Sequence, residues 1–275
     1  MPVIRRMNPE QVATAVAWAA REGWNPGLAD AEAFLAQDPD GFLMAEEDGR
    51  MVACISAVTY GENFGFIGFY IVDPPFRGRG YGWAVWQAAM QRLAERVIGL
   101  DGVVAQQDNY RRSGFDLAWN NARYQAVMPR LPPPDAGLVP ASSLPFEELL
   151  AYDAACFGVA RPRFLEGWIK TPGHIALAVP GLKGYGVIRP CREGWKIGPL
   201  FADDAAAARR LLAGLAAAAG PGPVILDVPE DHAAAVALAR EAGMVKVFET
   251  ARMYRGNPPP ISRERVFGIT SFELG

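Results

Sequence analysis

The chain has 275 residues, 51% of them hydrophobic, and a formal net charge of −3. That length suits two domains of roughly 100–200 residues, each able to bury a core, and the mild acidity argues against a nucleic-acid partner while suiting a cationic amine. No apolar run reaches the ~18–20 residues of a membrane span, even in the alanine-rich stretch 205–219.

The start, Met1-Pro2-Val3-Ile4-Arg5-Arg6, has no signal-peptide core. Three scattered cysteines, Cys54, Cys156 and Cys191, fit neither a disulfide framework nor a metal site, so a reducing, cytoplasmic setting is expected. Residues 2–6 read as a strand. Asn8 or its neighbour opens an amphipathic helix through Val12, Val16 and Ala19 to Arg21. Trp24-Asn25-Pro26-Gly27 is a turn and 29–37 a second helix. Residues 42–46 and 51–60 form a hairpin about Asp48-Gly49. The apolar run 66–72 stops at Pro74-Pro75, because proline cannot donate to a sheet ladder. A basic glycine-rich turn then leads into a helix predicted over 80–96, a strand at 102–105, a short helical piece to Ser113 and a closing strand at 117–127.

Residues 129–145 hold six prolines and few bulky apolar groups, the composition of a semi-rigid linker. The chain thus divides into 1–128 and 146–275. The second part repeats the order of the first: helices at 146–156 and 162–170, strands at 175–179, 185–189 and 195–200, a helix at 204–218, a strand at 224–228, a helix at 231–242, and strands at 245–254 and 266–272. Equal size and equal order predict a duplication.

The turn Arg77-Gly78-Arg79-Gly80-Tyr81-Gly82 carries the chemistry. Its glycines admit positive φ and close ligand approach. The unsatisfied amides opening the next helix, at the positive end of its dipole, make an anion site, and Arg77 and Arg79 add charge-assisted donors. The turn reads neither as G-x-G-x-x-G nor as a loop ending in Gly-Lys-Ser/Thr. At the matching place the second half has Gly198-Pro199-Leu200-Phe201-Ala202-Asp203-Asp204, without arginine or Gly-x-Gly. Two aspartates can cap a helix but repel a polyanion, so this half is expected to shape the acceptor pocket, cover the first half or oligomerise.

Val72-x-Pro74 followed by Arg77-x-x-Gly80-x-Gly82 resembles the coenzyme A pyrophosphate loop of the GNAT acyltransferase superfamily, with motifs in order over residues 2–128. Two-domain GNAT-like proteins are similar throughout, including the ending from Val266 to Gly275. The resemblance implies an α/β (α+β) fold of two tandem domains, each a mixed, mostly antiparallel twisted sheet flanked by helices, the second degenerate. It implies acetyl-CoA as co-substrate and no metal. Tyr70, Ile71 and Val72 would pair with the pantetheine arm, with an N–H near Ile71 as oxyanion donor. Arg77, Gly78, Arg79, Gly80, Tyr81, Gly82 and Trp83 would hold the diphosphate, with Asn109 beside the cofactor. Tyr110, four residues before Gly114-Phe115, would protonate the departing thiolate, as a phenol of pKa near 10 can; the second half has Ala239 there.

Many relatives carry a base on the fourth strand, where this chain has no carboxylate. Glu62, Asp73 and Glu46 are nearest, a water relay would also serve, and Glu62, just before the strand, is the candidate. Trp24 and Asn25, with Tyr60, would meet the acceptor, although Trp24 equally fits a helix-packing staple. Trp83 and Trp86 read chiefly as core. The expected activity is direct transfer of an acetyl group to a primary amine of a small molecule or peptide. Neither nucleic acid nor membrane is an expected partner, and a homodimer is compatible. The alternative is a non-catalytic acyl-CoA-binding regulator, which the missing strand glutamate favours and Tyr110 opposes. A nucleotide-dependent enzyme fits poorly without the loop lysine.

Overall fold

The computed structural model describes residues 2–275. The first half begins with β1 (Val3–Arg6), α1 (Pro9–Arg21) and α2 (Asp30–Gln37). Asn8 closes a capping box with Gln11, each side chain accepting the other's amide at 2.9 Å. The hairpin of β2 (Phe42–Glu47) and β3 (Arg50–Tyr60) turns at Asp48 and Gly49, whose φ values of +50° and +75° match a right-twisted ribbon. Then come β4 (Phe64–Val72), α3 (Tyr81–Arg92), β5 (Val97–Val103), α4 (Gln107–Arg112) and β6 (Asp116–Ala126). The helix stops four residues before the predicted end, and β5 starts five residues before the predicted strand. Gly99 and Gly102 disguise that strand, yet both make room for aromatic rings: a Cβ on Gly99 would lie 2.9 Å from Phe66, and one on Gly102 2.2 Å from Tyr110.

The second half comprises β7 (Val139–Pro140), α5 (Phe146–Phe157), α6 (Pro162–Lys170), β8 (Ile175–Ala178), β9 (Gly184–Pro190), β10 (Trp195–Ala202), α7 (Ala205–Ala218), β11 (Val224–Pro229), α8 (Ala233–Glu241), β12 (Val245–Arg255) and β13 (Val266–Gly268). The end of the proline-rich segment is thus ordered as a sheet-edge strand, β7, against β8. The strand predicted over 266–272 stops at Gly268. Beyond it the chain turns inward, with the Ile269 amide donating to the Asp227 carbonyl at 2.9 Å and the Leu274 amide to Ser271 Oγ at 3.0 Å.

The halves are not two separate sheets. Among the described residues thirteen strands join in one mixed, mostly antiparallel sheet, ordered β1-β2-β3-β4-β5-β12-β6-β11-β10-β9-β8-β7, with β13 beside β10. The two long closing strands are exchanged: β12 pairs with β5 of the first half, and β6 pairs with β11 of the second. The helices α1 and α2 pack with α5 and α6 in a core common to both halves, where Phe34 stacks on Trp168 at 5.9 Å. On the opposite face α3 covers one end of the sheet, and α7 and α8 the other. Among the described residues no helix is long and apolar enough to cross a membrane.

Two junctions in the sheet are parallel, and both splay. Pairing of β4 with β5 runs only from Phe64↔Val97 to Ile67↔Leu100, and pairing of β10 with β11 only from Trp195↔Val224 to Ile197↔Leu226. In each case the register against the other neighbour shifts where the splay begins, at Cys54/Ser56 and at Ile197/Leu200. The second wedge is filled by β13, which pairs with β10 at Leu200 and Phe201. The first stays open.

Candidate active site

The open wedge leads into a cavity of about 390 Å³ between β4 and β5. Its opening follows from a bulge: Phe69 sits at φ +47°, a strained conformation for a large residue, and Cys54 Sγ donates to its carbonyl at 3.2 Å. Past the bulge the Asp73 amide donates to the Val52 carbonyl at 2.9 Å. Antiparallel alternation with Cys54↔Ile71 then turns the Ile71 amide toward β3 and leaves those of Tyr70 and Val72 facing the wedge. The Ile71 amide, near which an oxyanion donor was expected, is thus spent on β3, and its neighbours' amides are the ones facing the wedge. Tyr70, Ile71 and Val72 all line the cavity.

At the mouth, Gly78 and Gly80 adopt φ of +76° and +87°, and a Cβ on either would meet nothing within 4 Å. The first bond of α3 runs from the Ala84 amide to the Gly80 carbonyl, so the preceding amides, on Tyr81, Gly82 and Trp83, are unspent at the positive helix end. Gly82 faces inward, 3.0 Å from the Tyr70 hydroxyl oxygen at its Cβ position. Arg77 donates to the Val72 carbonyl at 3.1 Å and pairs with Glu22, while Arg79 and Tyr81 bind Glu47. The loop's cations are thus held in place by carboxylates that an anionic ligand must share or displace. These open glycines, free amides and two arginines fit a diphosphate.

Tyr110 lies on the cavity wall, 8% exposed, its ring seated in the space left by Gly102 and 5.6 Å from Trp86. Burial, and the neighbouring Tyr70, push its pKa above the ordinary phenol value, so it stays a proton donor at neutral pH. Asn109 is exposed and binds Gln106; it is Gln106 that reaches the cavity. Trp83 is 60% exposed, not core, whereas Trp86 is buried among Tyr70, Tyr110 and Phe115.

Three expected site residues lie elsewhere. Glu62 sits exposed on the β3–β4 turn, at the end of β4 away from the wedge, and is not positioned to act as base. Tyr60 is buried under Phe157, and its hydroxyl donates to the Leu274 carbonyl at 2.8 Å. Asn25 clasps the Glu193 backbone, donating at 2.9 Å and accepting at 3.1 Å. Trp24 does line the cavity, its carbonyl fixed by Arg123 Nη1 at 2.7 Å. The other carboxylates considered are occupied: Asp73 between Arg21 and Arg50 at 2.9 and 2.8 Å, and Glu46 with Arg5 at 3.4 Å.

The residues that sequence reasoning missed come from the second half. Because β12 is exchanged, Phe248 and Thr250 face the cavity, and the inward turn after β13 adds Phe272 and Glu273. Asp101 of β5 also lines it but is spent on Arg252, at 2.6 and 2.8 Å, and on Asn121 at 2.8 Å. The available signal was one acid in the otherwise uncharged run Ile269-Thr270-Ser271-Phe272-Glu273-Leu274.

Two family models match the chain. One, described as the acetyltransferase (GNAT) family, matches residues 10–115, and one described as an acetyltransferase (GNAT) domain matches residues 149–268. Holothin acyltransferase from Pseudoalteromonas sp. is 29% identical, covering 94% of this chain and 89% of that protein. The uncharacterized N-acetyltransferase YitH of Bacillus subtilis is 25% identical, covering 98% and 97%. Among solved structures, one from Pyrococcus horikoshii, provisionally described as an acetyltransferase, superposes with a TM-score of 0.87 at 23% identity, covering 99% of this chain and 95% of that one. A tandem GNAT protein from the clavulanic acid biosynthesis pathway does so at 0.63 and 13% identity, covering 94% and 99%. The chain belongs to the GNAT acetyltransferases and is an acyl-transferring enzyme of their tandem, two-domain kind.

Proposed function

We propose that the chain moves the acetyl group of acetyl-CoA to a primary amine of a small molecule or peptide, within a ternary complex and without a covalent enzyme intermediate. Residues 1–128 hold the thioester in the β4–β5 wedge. Residues 146–275, reached through 129–145, bind no coenzyme A and complete the acceptor side. The observation that carries this reading is the open wedge, with free amides and arginines at its mouth and Tyr110 on its wall.

In this reading the loop from Arg77 to Trp83 grips the diphosphate, and the amides of Tyr70 and Val72 polarise the thioester carbonyl. Tyr110 gives its hydroxyl proton to the leaving sulfur. Trp24, Phe248 and Phe272 form apolar walls for the acceptor. A relative named mycothiol acetyltransferase, from Mycolicibacterium gilvum, is 34% identical over 106 residues; its name and that of the holothin enzyme favour a small-molecule acceptor over a peptide. Three free, buried cysteines suit the cytoplasm.

Thiol release from acetyl-CoA, measured with a panel of amines, tests the proposal. Turnover is expected with at least one acceptor, and Tyr110→Phe should lower kcat about 10–100-fold while coenzyme A affinity stays within about twofold. Tight coenzyme A binding with no thiol release for any amine would instead mark an acyl-CoA-binding regulator.

A further inference from the structure

We propose that Glu273, a residue of the second half, is the base that takes the ammonium proton of the acceptor in the first half's wedge. The proposal rests on the acyl-transfer reading above and supplies the group that β4 lacks.

Glu273 lines the same cavity as Tyr70 and Tyr110. Its backbone lies against Gly68 of β4, where a Cβ would come within 2.0 Å of the Glu273 carbonyl oxygen, so the approach depends on that glycine. The residue is 2% exposed, and among the described residues neither carboxylate oxygen has a hydrogen-bond partner. An enclosed, unpartnered carboxylate is costly. The chain on either side of it is pinned: Ser271 Oγ accepts the Leu274 amide, Tyr60 donates to the Leu274 carbonyl, and Arg123 stacks on Phe272 at 4.8 Å. Thr250 Oγ1, in the same lining, likewise has no partner among the described residues. Two residues of the cavity lining thus carry enclosed polar atoms with no partner among the described residues. A primary ammonium supplies donors for both.

The other acids of the cavity are engaged, Glu22 by Arg77 and Asp101 by Arg252. The charged groups facing Glu273 are Lys196 of β10, Asp30 of α2, Arg123 of β6 and Arg189 of β9. Each cation is directed elsewhere: Arg123 to Asp227 at 2.7 and 2.8 Å, Arg189 to Asp30 at 2.8 Å, and Lys196 to the carbonyls of Asn25 and Trp24 at 2.7 and 3.4 Å. Burial raises the Glu273 carboxyl above the usual range, against the attraction of Lys196 and the two arginines. A more basic carboxylate suits an amine whose pKa is around 10.

The step balances as follows. The acceptor ammonium gives one proton to Glu273, and the freed lone pair forms the N–C bond at the thioester carbonyl. As the C–S bond breaks, its electron pair leaves with sulfur, which takes the Tyr110 hydroxyl proton. The second proton, from the now cationic nitrogen, restores the phenol. The proton on Glu273 leaves to solvent with the products, the single net proton of the reaction.

The test compares wild type, Glu273→Gln and Glu273→Asp by thiol release across pH, using one alkylamine and one acceptor already neutral at assay pH, such as hydroxylamine. Glu273→Gln is expected to lower kcat for the alkylamine at least about 100-fold and to move the acidic limb of its pH profile up toward the pKa of the amine itself. Coenzyme A affinity should stay within about twofold, and the loss with hydroxylamine should shrink below about tenfold. Glu273→Asp should keep the limb in place. Equal losses with both acceptors, or an acidic limb in Glu273→Gln unshifted from wild type, would overturn the proposal. Wild-type protein that releases no thiol would overturn the underlying reading instead.

Discussion

The β4–β5 and β10–β11 junctions begin alike: three or four parallel pairs, a register shift, then a splay. At each, a glycine lies against the segment that follows β12. A Cβ on Gly68 would meet the Glu273 carbonyl at 2.0 Å, and one on Gly198 the Thr270 carbonyl at 2.2 Å. What differs is the filling. β13 closes the second wedge along its length, whereas only Phe272 and Glu273 reach the first. The loops diverge to match. Arg77 and Arg79 stand beside open glycines, while Asp204 caps α7 through the Ala207 amide at 2.8 Å and Asp203 is held by Tyr152 at 2.9 Å and Arg265 at 3.2 Å. Tyr110 faces a cavity; Ala239 is fully buried in α8. The comparison teaches that losing a binding cleft can free its filling segment to serve the neighbouring one.

The most drastic way to break this symmetry is to cut the chain near residue 137. Each fragment would lose a sheet neighbour, β12 for the first and β6 for the second, exposing long edges. Neither should fold alone by circular dichroism, and co-expression should restore folding. Two independently folded fragments would show the exchange to be dispensable. Next comes Asp101→Ala, which strands Arg252 across the β5–β12 seam between the halves. The side chains are 0% and 5% exposed, so a loss of about 3–5 kcal/mol is expected in denaturant unfolding, as one transition for the whole chain.

The smallest effect sharpens the role of Glu273. Because its carboxyl is raised in the folded state, the unfolded chain ionises first as pH climbs above the usual carboxylate range. Stability present at low pH is then lost up to the folded pKa. Glu273→Gln does not titrate and should lose less stability over that window, a difference of melting temperatures that rules out misfolding as the cause of its lost activity.

Much of the architecture could be read locally. The Asn8 capping box, the Asp48-Gly49 hairpin and the Arg77–Gly82 turn are written in neighbouring residues, and α6 has the predicted bounds. The resemblance singled out Tyr110 four residues before Gly114-Phe115, and the structure sets it on α4 at the cavity wall. Partner choice was not: β6 and β12 are both eleven-residue strands, and nothing in their alternation says which sheet each joins. That long-range choice brings Phe248, Thr250 and Glu273 to the site and leaves Glu62, near β4 in sequence, on an exposed turn. Tyr60 shows the same limit, since its hydroxyl fastens a segment more than two hundred residues away.

If the wedge of the first half alone grips the diphosphate, a calorimetric titration with coenzyme A will show it. Wild type should bind one molecule per chain, and Asp203→Ala should bind equally well. Gly80→Glu, which places an anion on the α3 amides at a φ of +87° that costs a side chain roughly 1–2 kcal/mol, should weaken binding at least about 100-fold. Two molecules per chain, or binding lost in Asp203→Ala and kept in Gly80→Glu, would contradict it.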